Sequence, residues 1–341
     1  MHILSMGVLS VCSAQGFVIS LDYTYDENNF FGNATAKAAL EQAAADISAA
    51  ITTPLSAVTT DSVTFNGTGD TATLINRGSF TNPATDAAEN RDFSLNPIAA
   101  DTYVIYVGSR IISGSVLGQG GAGFGLGASG TGPGGNISQS TVDGASELFE
   151  NTFVRGGLEY ATLSSTLGGS TFSATTGLTV GNLWFDHDTN NDGSLDDATT
   201  LDGSWQFDHT TGVASAKNDL YSVALHEMLH AVGIGTGDSW NANVLGTDWI
   251  GAEVNAANGG SGAGIIQAGG GHFASGLMST RIDNGAAQEA AMDPEIITGT
   301  RKFLTQIDLA ALRDMGLQTI PEPSNLLLFS LASLFCLRRK R

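Results

Sequence analysis

The sequence predicts an α+β domain. Three observations point there: an alanine-rich helical stretch near the N-terminus, apolar strand-like runs in the middle, and a capped helix near the C-terminus. From Asn33 to Ile51 the chain reads NATAKAALEQAAADISAAI, rich in helix formers, with Leu40, Ala43, Ala44, Ile47 and Ile51 at helical spacing. Tyr103-Val104-Ile105-Tyr106-Val107 reads as a buried strand, and strand-like pieces recur through Leu178 to Phe185. Between them, Gly118 to Gly135 is dense in glycine and predicts a loop without helix or strand. Near the end, in LTQIDLAALRDMG, Thr305 is a good N-cap with Asp308 in the third helical position. Ile307, Leu309, Ala310 and Leu312 supply the apolar face and Gly316 closes the helix.

At 341 residues, with 42% hydrophobic and 14% charged residues, the chain can bury a sizeable core. Acidic residues outnumber basic ones 34 to 14, and Arg338, Arg339, Lys340 and Arg341 are crowded at the C-terminus. Phosphate backbones would repel a body this acidic, so nucleic acid is excluded as a partner and divalent cations fit better. The two cysteines, Cys12 and Cys336, fall in terminal apolar segments. The body is therefore expected to hold metal through imidazole and oxygen, with neither thiolate nor disulfide.

Both ends read as export signals. Residues 1–14 carry an apolar run from Ile3 to Cys12 followed by Ser13 and Ala14, which resembles a secretory signal peptide cut after Ala14, although no Lys or Arg precedes the core. Residues 321–341 run Pro321-Glu322-Pro323, an apolar stretch from Leu326 to Leu337, and the basic cluster. A short apolar segment followed by arginines stops in a membrane with its positive end in the cytoplasm. The three parts in this order resemble the PEP-CTERM sorting signal of Gram-negative bacteria. That resemblance implies transient inner-membrane anchoring, cutting by an exosortase-type enzyme, and delivery to the periplasm, outer surface or extracellular matrix.

The chemistry is concentrated in DLYSVALHEMLHAVGIGTGDSW, Asp219 to Trp240. In its HExxH motif, His226 and His230 lie one helical turn apart on one face and can share a zinc ion, while Glu227 reaches the metal-bound water. Val223, Ala224, Leu225, Met228, Leu229, Ala231 and Val232 are the residues of a helix packed inside a domain, which Gly233 ends. A catalytic zinc needs a third protein ligand and an open position. Of six histidines, His187, His209 and His272 remain besides His2. His187 lies in an acidic run, His209 falls in a loop before the helix, and His272 is the preferred third ligand. Asp238, which follows the helix closely, is the alternative. Tyr221 is expected to pack on the helix. No long apolar span surrounds the motif, so a membrane-embedded HExxH protease is excluded.

HEMLHAVG is similar to the metzincin signature HExxHxxG, in which a histidine follows three residues after the glycine; here Thr236 stands at that place. Leishmanolysin-like metzincins insert a segment before the third histidine, and Ile234 to Gly271 has the place of such an insertion, delivering His272. The resemblance, carried by roughly Asn182 to Gly316, implies a catalytic domain over residues 15–320 with a mixed twisted sheet, an active-site helix, a methionine turn and a C-terminal helix. AAMDPEI around Met292 looks like the matrixin form of that turn, with Met278 as a second candidate. The activity implied is that of a secreted zinc endopeptidase acting on proteins or peptides, with Glu227 as general base to the metal-activated water. The alternative is a non-catalytic matrix or surface protein retaining a metzincin frame.

Phe185 to Asp197, FDHDTNNDGSLDD, places Asp188, Asn190 and Asp192 at alternating positions before Gly193, as in an EF-hand-like calcium loop. Thr199 at the twelfth position excludes a full EF-hand, leaving Asp196 or Asp197 to close the shell. Matrixin-like enzymes place a structural calcium loop after the strand that GNLWF resembles.

Overall fold

The structure, a computed structural model, describes residues 16–321. Both segments read as export signals, Pro321 apart, lie outside the described residues, as do His2, Cys12 and Cys336. Among the described residues no helix is long and apolar enough to cross a membrane.

The architecture mixes helices with several sheets. The central sheet contains β1 (Val18–Asp22), β4 (Thr102–Arg110), β9 (Val180–Asp186) and β5 (Gly118–Gly123) in the order β1-β4-β9-β5. The first three strands run parallel and β5 is an antiparallel edge. A second, antiparallel sheet contains β2 (Ser62–Asn66), β3 (Thr71–Asn76) and β6 (Leu126–Thr131). β7 (Ala161–Leu167) and β8 (Ser170–Thr176) form a hairpin. β4 and β9 are buried along almost their whole length, as strands of a sheet covered on both faces must be.

Four helices organise these layers. α1 (Ala34–Ala50) starts at Asn33, whose side chain accepts the amides of Thr35 and Ala36 at 2.9 and 3.2 Å. Its buried face, Ala36, Ala39, Leu40, Ala43 and Ile47, follows the expected spacing and packs on β1 and on α3 (Leu220–Ala231), the helix that carries HExxH. Alanines on that face let two helix backbones approach closely. α4 (Gln306–Asp314) begins in a capping box between Thr305 and Asp308, as the sequence predicts.

The structure adds α2 (Gln139–Phe153), which the sequence reading did not anticipate. It buries Val142, Ala145, Phe149 and Phe153 against β2, β3 and β8, forming a second core beside the one around α1, α3 and α4.

The expectation of an irregular loop over 118–135 is corrected: β5 and β6 occupy most of it. Glycine has little intrinsic preference for strand, but here tertiary packing selects it. A Cβ on Gly120 would lie 2.2 Å from the carbonyl oxygen of Glu227, and one on Gly118 would lie 3.2 Å from the Glu227 Cγ. Only a bare backbone can lie this close to α3 at Glu227.

Candidate metal centre and catalytic cleft

α3 is positioned at its first turn by Asp219, whose carboxylate accepts the amide and hydroxyl of Ser222 at 3.1 and 2.7 Å. Every residue from Leu220 to Leu229 is buried, so rotation of the helix would expose core, and His226 and His230 are fixed on one side.

The structure brings His272 to these two. Its Nε2 lies 3.0 Å from Nε2 of His230 and 3.1 Å from Nε2 of His226. Two contacts deliver it. Gly235, at φ 75°, packs so tightly that a Cβ there would meet the Gly271 carbonyl oxygen at 1.9 Å, and the buried Trp240 donates its indole N–H to the Gly270 carbonyl at 2.7 Å. The segment expected as an insertion is thus folded back onto the end of α3 with His272 at its tip. Asp238 takes no part: its carboxylate accepts the Thr162 amide at 2.7 Å. Thr236, at the signature's third histidine place, donates its hydroxyl to the His230 carbonyl at 2.7 Å.

The far side of each imidazole is held. Nδ1 of His226 lies 2.9 Å from the Ala291 carbonyl and Nδ1 of His230 2.7 Å from the Ile234 carbonyl. A carbonyl only accepts, so both Nδ1 atoms carry the proton and both Nε2 atoms present a lone pair. His272 Nδ1 lies 3.1 Å from Oε1 of Gln267. Lone pairs converging at about 3 Å repel unless a cation lies between them, and three imidazole nitrogens around a tetrahedral zinc at about 2.0–2.1 Å would lie roughly 3.3 Å apart. The donor set therefore fits a metal ion. Among the described residues this trio is the group of three close metal-ligating side chains.

Burial holds all three imidazoles neutral. It pushes His226 well below the ordinary histidine range, helped by neighbouring His230, takes His230 down to about 4, and lowers His272 despite the nearby charge of Asp293. Neutral imidazole is the form that binds metal. Glu227 moves the other way: burial pushes its carboxyl up to about 8, opposed by the Gly120 amide that donates to it.

A turn beside His226 contains Met292, which is buried, whereas Met278 is 55% exposed. The Asp293 amide closes the turn on the Ala290 carbonyl at 3.2 Å. Asp308, the third residue of α4, accepts the amides of Ala291 and Met292 at 2.9 and 3.2 Å while also capping its own helix through Thr305. One buried carboxylate thus ties α4 to the carbonyl that orients His226. That role of Asp308 was hidden in the sequence, where its capping position explained it fully.

The histidines and Glu227 line a cleft of about 840 Å³, walled by Val116, Gln119, Trp184, Val223, Pro294 and Ile297 among others. The remaining sequence candidates lie elsewhere. His187 is buried with Nδ1 2.8 Å from the Ser109 hydroxyl, and His209 stacks beside Tyr221. Tyr221 is buried and donates its hydroxyl to Asp46 at 2.6 Å, as a residue packed on the helix. In the acidic loop, the Asp188 carboxylate accepts the amides of Asp192 and Gly193 at 2.9 and 2.8 Å, and Asn190 Oδ1 accepts the Asp192 amide at 2.9 Å.

Three imidazoles presenting lone pairs to one point, beside a buried carboxyl in an open cleft, form a site that could hold a metal ion. Comparison with protein-family models, with curated proteins and with solved structures finds no match.

Proposed function

We propose that the chain is an exported zinc endopeptidase of the metzincin type, with His226, His230 and His272 holding the ion and Glu227 as general base. The observation that supports this most directly is the meeting of the three Nε2 atoms from segments 42 and 46 residues apart, next to Glu227. A set of three nitrogens without sulfur suits zinc and leaves it a coordination position. When bound there, zinc lowers the pKa of water and polarises a carbonyl group.

The chain's own residues do the rest. The Ala291 and Ile234 carbonyls fix the tautomers of His226 and His230, keeping both Nε2 atoms toward the ion. Glu227 stands beside the three imidazoles, where its carboxylate takes a proton from the attacking water and passes it to the leaving amine. The cleft, lined on one side by β5, admits an extended peptide. The terminal segments support export, and calcium at Asp188, Asn190 and Asp192 belongs to the same reading; added calcium then raises the melting temperature, and Asp188→Ala abolishes that rise.

The test is zinc content by elemental analysis together with casein hydrolysis. Wild type carries one zinc per chain and cleaves; His272→Ala loses the zinc; Glu227→Ala keeps it and loses the cleavage. If zinc-loaded wild type cleaves no faster than Glu227→Ala, the non-catalytic surface-protein reading replaces this one.

A further inference from the structure

Lysine is seldom buried without partners, and Lys302 is only 4% exposed. Its backbone amide donates to the Ser222 hydroxyl at 2.8 Å, which fastens it to α3, the helix that carries His226, Glu227 and His230. Its ammonium reaches three groups of one preceding segment: Nζ lies 3.1 Å from Oε2 of Glu289, 3.2 Å from Oδ1 of Asp293 and 2.6 Å from the Glu295 carbonyl oxygen. That segment continues into residues 294–297, which line the cleft without forming helix or strand. The other hydrogen bonds of this wall are local. The Glu295 amide donates to Asp293 at 2.8 Å, and the Ile297 carbonyl accepts the amide and hydroxyl of Thr300 at 3.2 and 2.5 Å. The hydrogen bond from Lys302 to the Glu295 carbonyl is therefore the one that ties the wall to α3. Asp293, 1% exposed, adds a second link, since it also accepts the amide of Gly276, four residues beyond His272, at 2.5 Å.

We propose that Lys302 is a positioning residue for substrate: by holding the Glu295 carbonyl and the Asp293 carboxylate it sets the distance between the 294–297 wall and α3, and so the width of the cleft that a peptide must fit. This rests on the peptidase reading above. It gives Lys302 a part in peptide affinity, separate from metal binding and from proton transfer by Glu227. An ammonium carries three donors, enough for Glu289, Asp293 and the Glu295 carbonyl together. A methionine of similar length fills the space and holds none of them.

The test measures peptide affinity by calorimetry on the zinc-loaded protein, in a Glu227→Ala background so that the peptide survives. The probe is a casein peptide spanning a bond that the wild type cleaves, titrated beside acetohydroxamate, which offers a chelating group alone. Lys302→Met by itself leaves Asp293 an unpaired buried carboxylate, which threatens folding. Asp293→Asn combined with Lys302→Met leaves that position neutral, keeps an acceptor for the Gly276 and Glu295 amides, and still lacks the donor to the Glu295 carbonyl. The double variant binds the casein peptide about tenfold more weakly, the size of one lost hydrogen bond, while zinc and acetohydroxamate affinities stay within about twofold. Lys302→Arg, which keeps a cation and its donors, retains most of the wild-type peptide affinity. Hydrogen exchange on the same zinc-loaded proteins speeds up at residues 295–297 of the double variant and not along α3. Unchanged peptide affinity in the double variant overturns the proposal. So does an equal loss for peptide, acetohydroxamate and zinc, which would place the effect at the metal. A zinc-loaded wild type that cleaves no casein counts instead against the peptidase reading, and exchange at 295–297 then still decides whether Lys302 holds the wall.

Discussion

Nδ1 of His226 lies 2.9 Å from the carbonyl oxygen of Ala291, 65 residues away. The amide of Ala291 is in turn held at 2.9 Å by Asp308. The placement of the His226 imidazole thus depends on a carboxylate in a helix that lies outside the cleft lining.

Asp308→Ala is expected to lower zinc affinity by about ten- to a hundredfold, the range for losing a group that orients a ligand. Competition with a chelator reads this directly. Because the substitution also removes the α4 cap, the control is Thr305→Ala, which loses the capping hydroxyl but leaves Asp308 free to hold the turn. It costs about 1 kcal/mol of stability and changes zinc affinity little.

Gly235→Ala is expected to remove zinc as effectively as His272→Ala. The new Cβ would meet the Gly271 carbonyl oxygen at 1.9 Å, at a φ of 75° that disfavours side chains, and the segment carrying His272 must move away. Gly121→Ala, where nothing lies within 4 Å of the added atom, is the matched control. Elemental analysis of the two variants decides it; retained zinc in Gly235→Ala would mean that the turn tolerates the methyl group.

How much of this was legible in the sequence follows from range. The HExxH pair, Glu227 and the caps of α1 and α4 are local patterns in which the spacing itself carries the geometry. His272 was chosen from a short list of histidines, but what delivers it, Gly235 against Gly271 and Trp240 on Gly270, joins residues 30 or more apart and leaves no local trace. α2 was missed although Val142, Ala145, Phe149 and Phe153 recur at helical spacing, because Gly144 and the polar residues between them mask the pattern. β5 was read as loop because glycine argues against strand wherever the neighbouring surface is unknown. Against the backbone of α3 at Glu227, the same glycines are what allow the strand.

Stability of the metal-free protein is expected to fall as the pH drops from about 6.5 toward 4. The His226, His230 and His272 pKa values are depressed by burial, His230 to about 4, so between the unfolded and folded values the unfolded chain binds protons that the folded one refuses. The stability is whole above about 6.5. Glu227 works in the opposite sense: its folded pKa is raised to about 8, so ionising it penalises the fold progressively from the ordinary carboxylate range up to that pH. Melting curves of Glu227→Gln against wild type, both stripped of metal, should therefore diverge with rising pH in favour of the variant. Parallel curves would show that the Glu227 carboxyl is not buried in the metal-free fold.

The last expectation concerns Arg301 and Asp219 at the start of α3. Nη2 of Arg301 lies 2.6 Å from Oδ1 of Asp219 and its Nε 3.0 Å from Oδ2, a two-pronged pairing, and the same guanidinium donates to the carbonyls of Thr211 and Asp208 at 2.9 and 3.1 Å. Asp219 is wholly buried and also caps α3. Removing the arginine alone leaves an uncompensated carboxylate in the core, so Arg301→Met should cost about 3–5 kcal/mol and loosen the helix that carries His226 and Glu227. Asp219→Asn together with Arg301→Met leaves no buried charge, and the amide oxygen can still accept from Ser222. The double variant should therefore be more stable than Arg301→Met alone. A double-mutant cycle on urea unfolding measures this, and a double variant no better than the single one would mean that the carbonyl contacts of Arg301, rather than its charge, secure the entry to the helix.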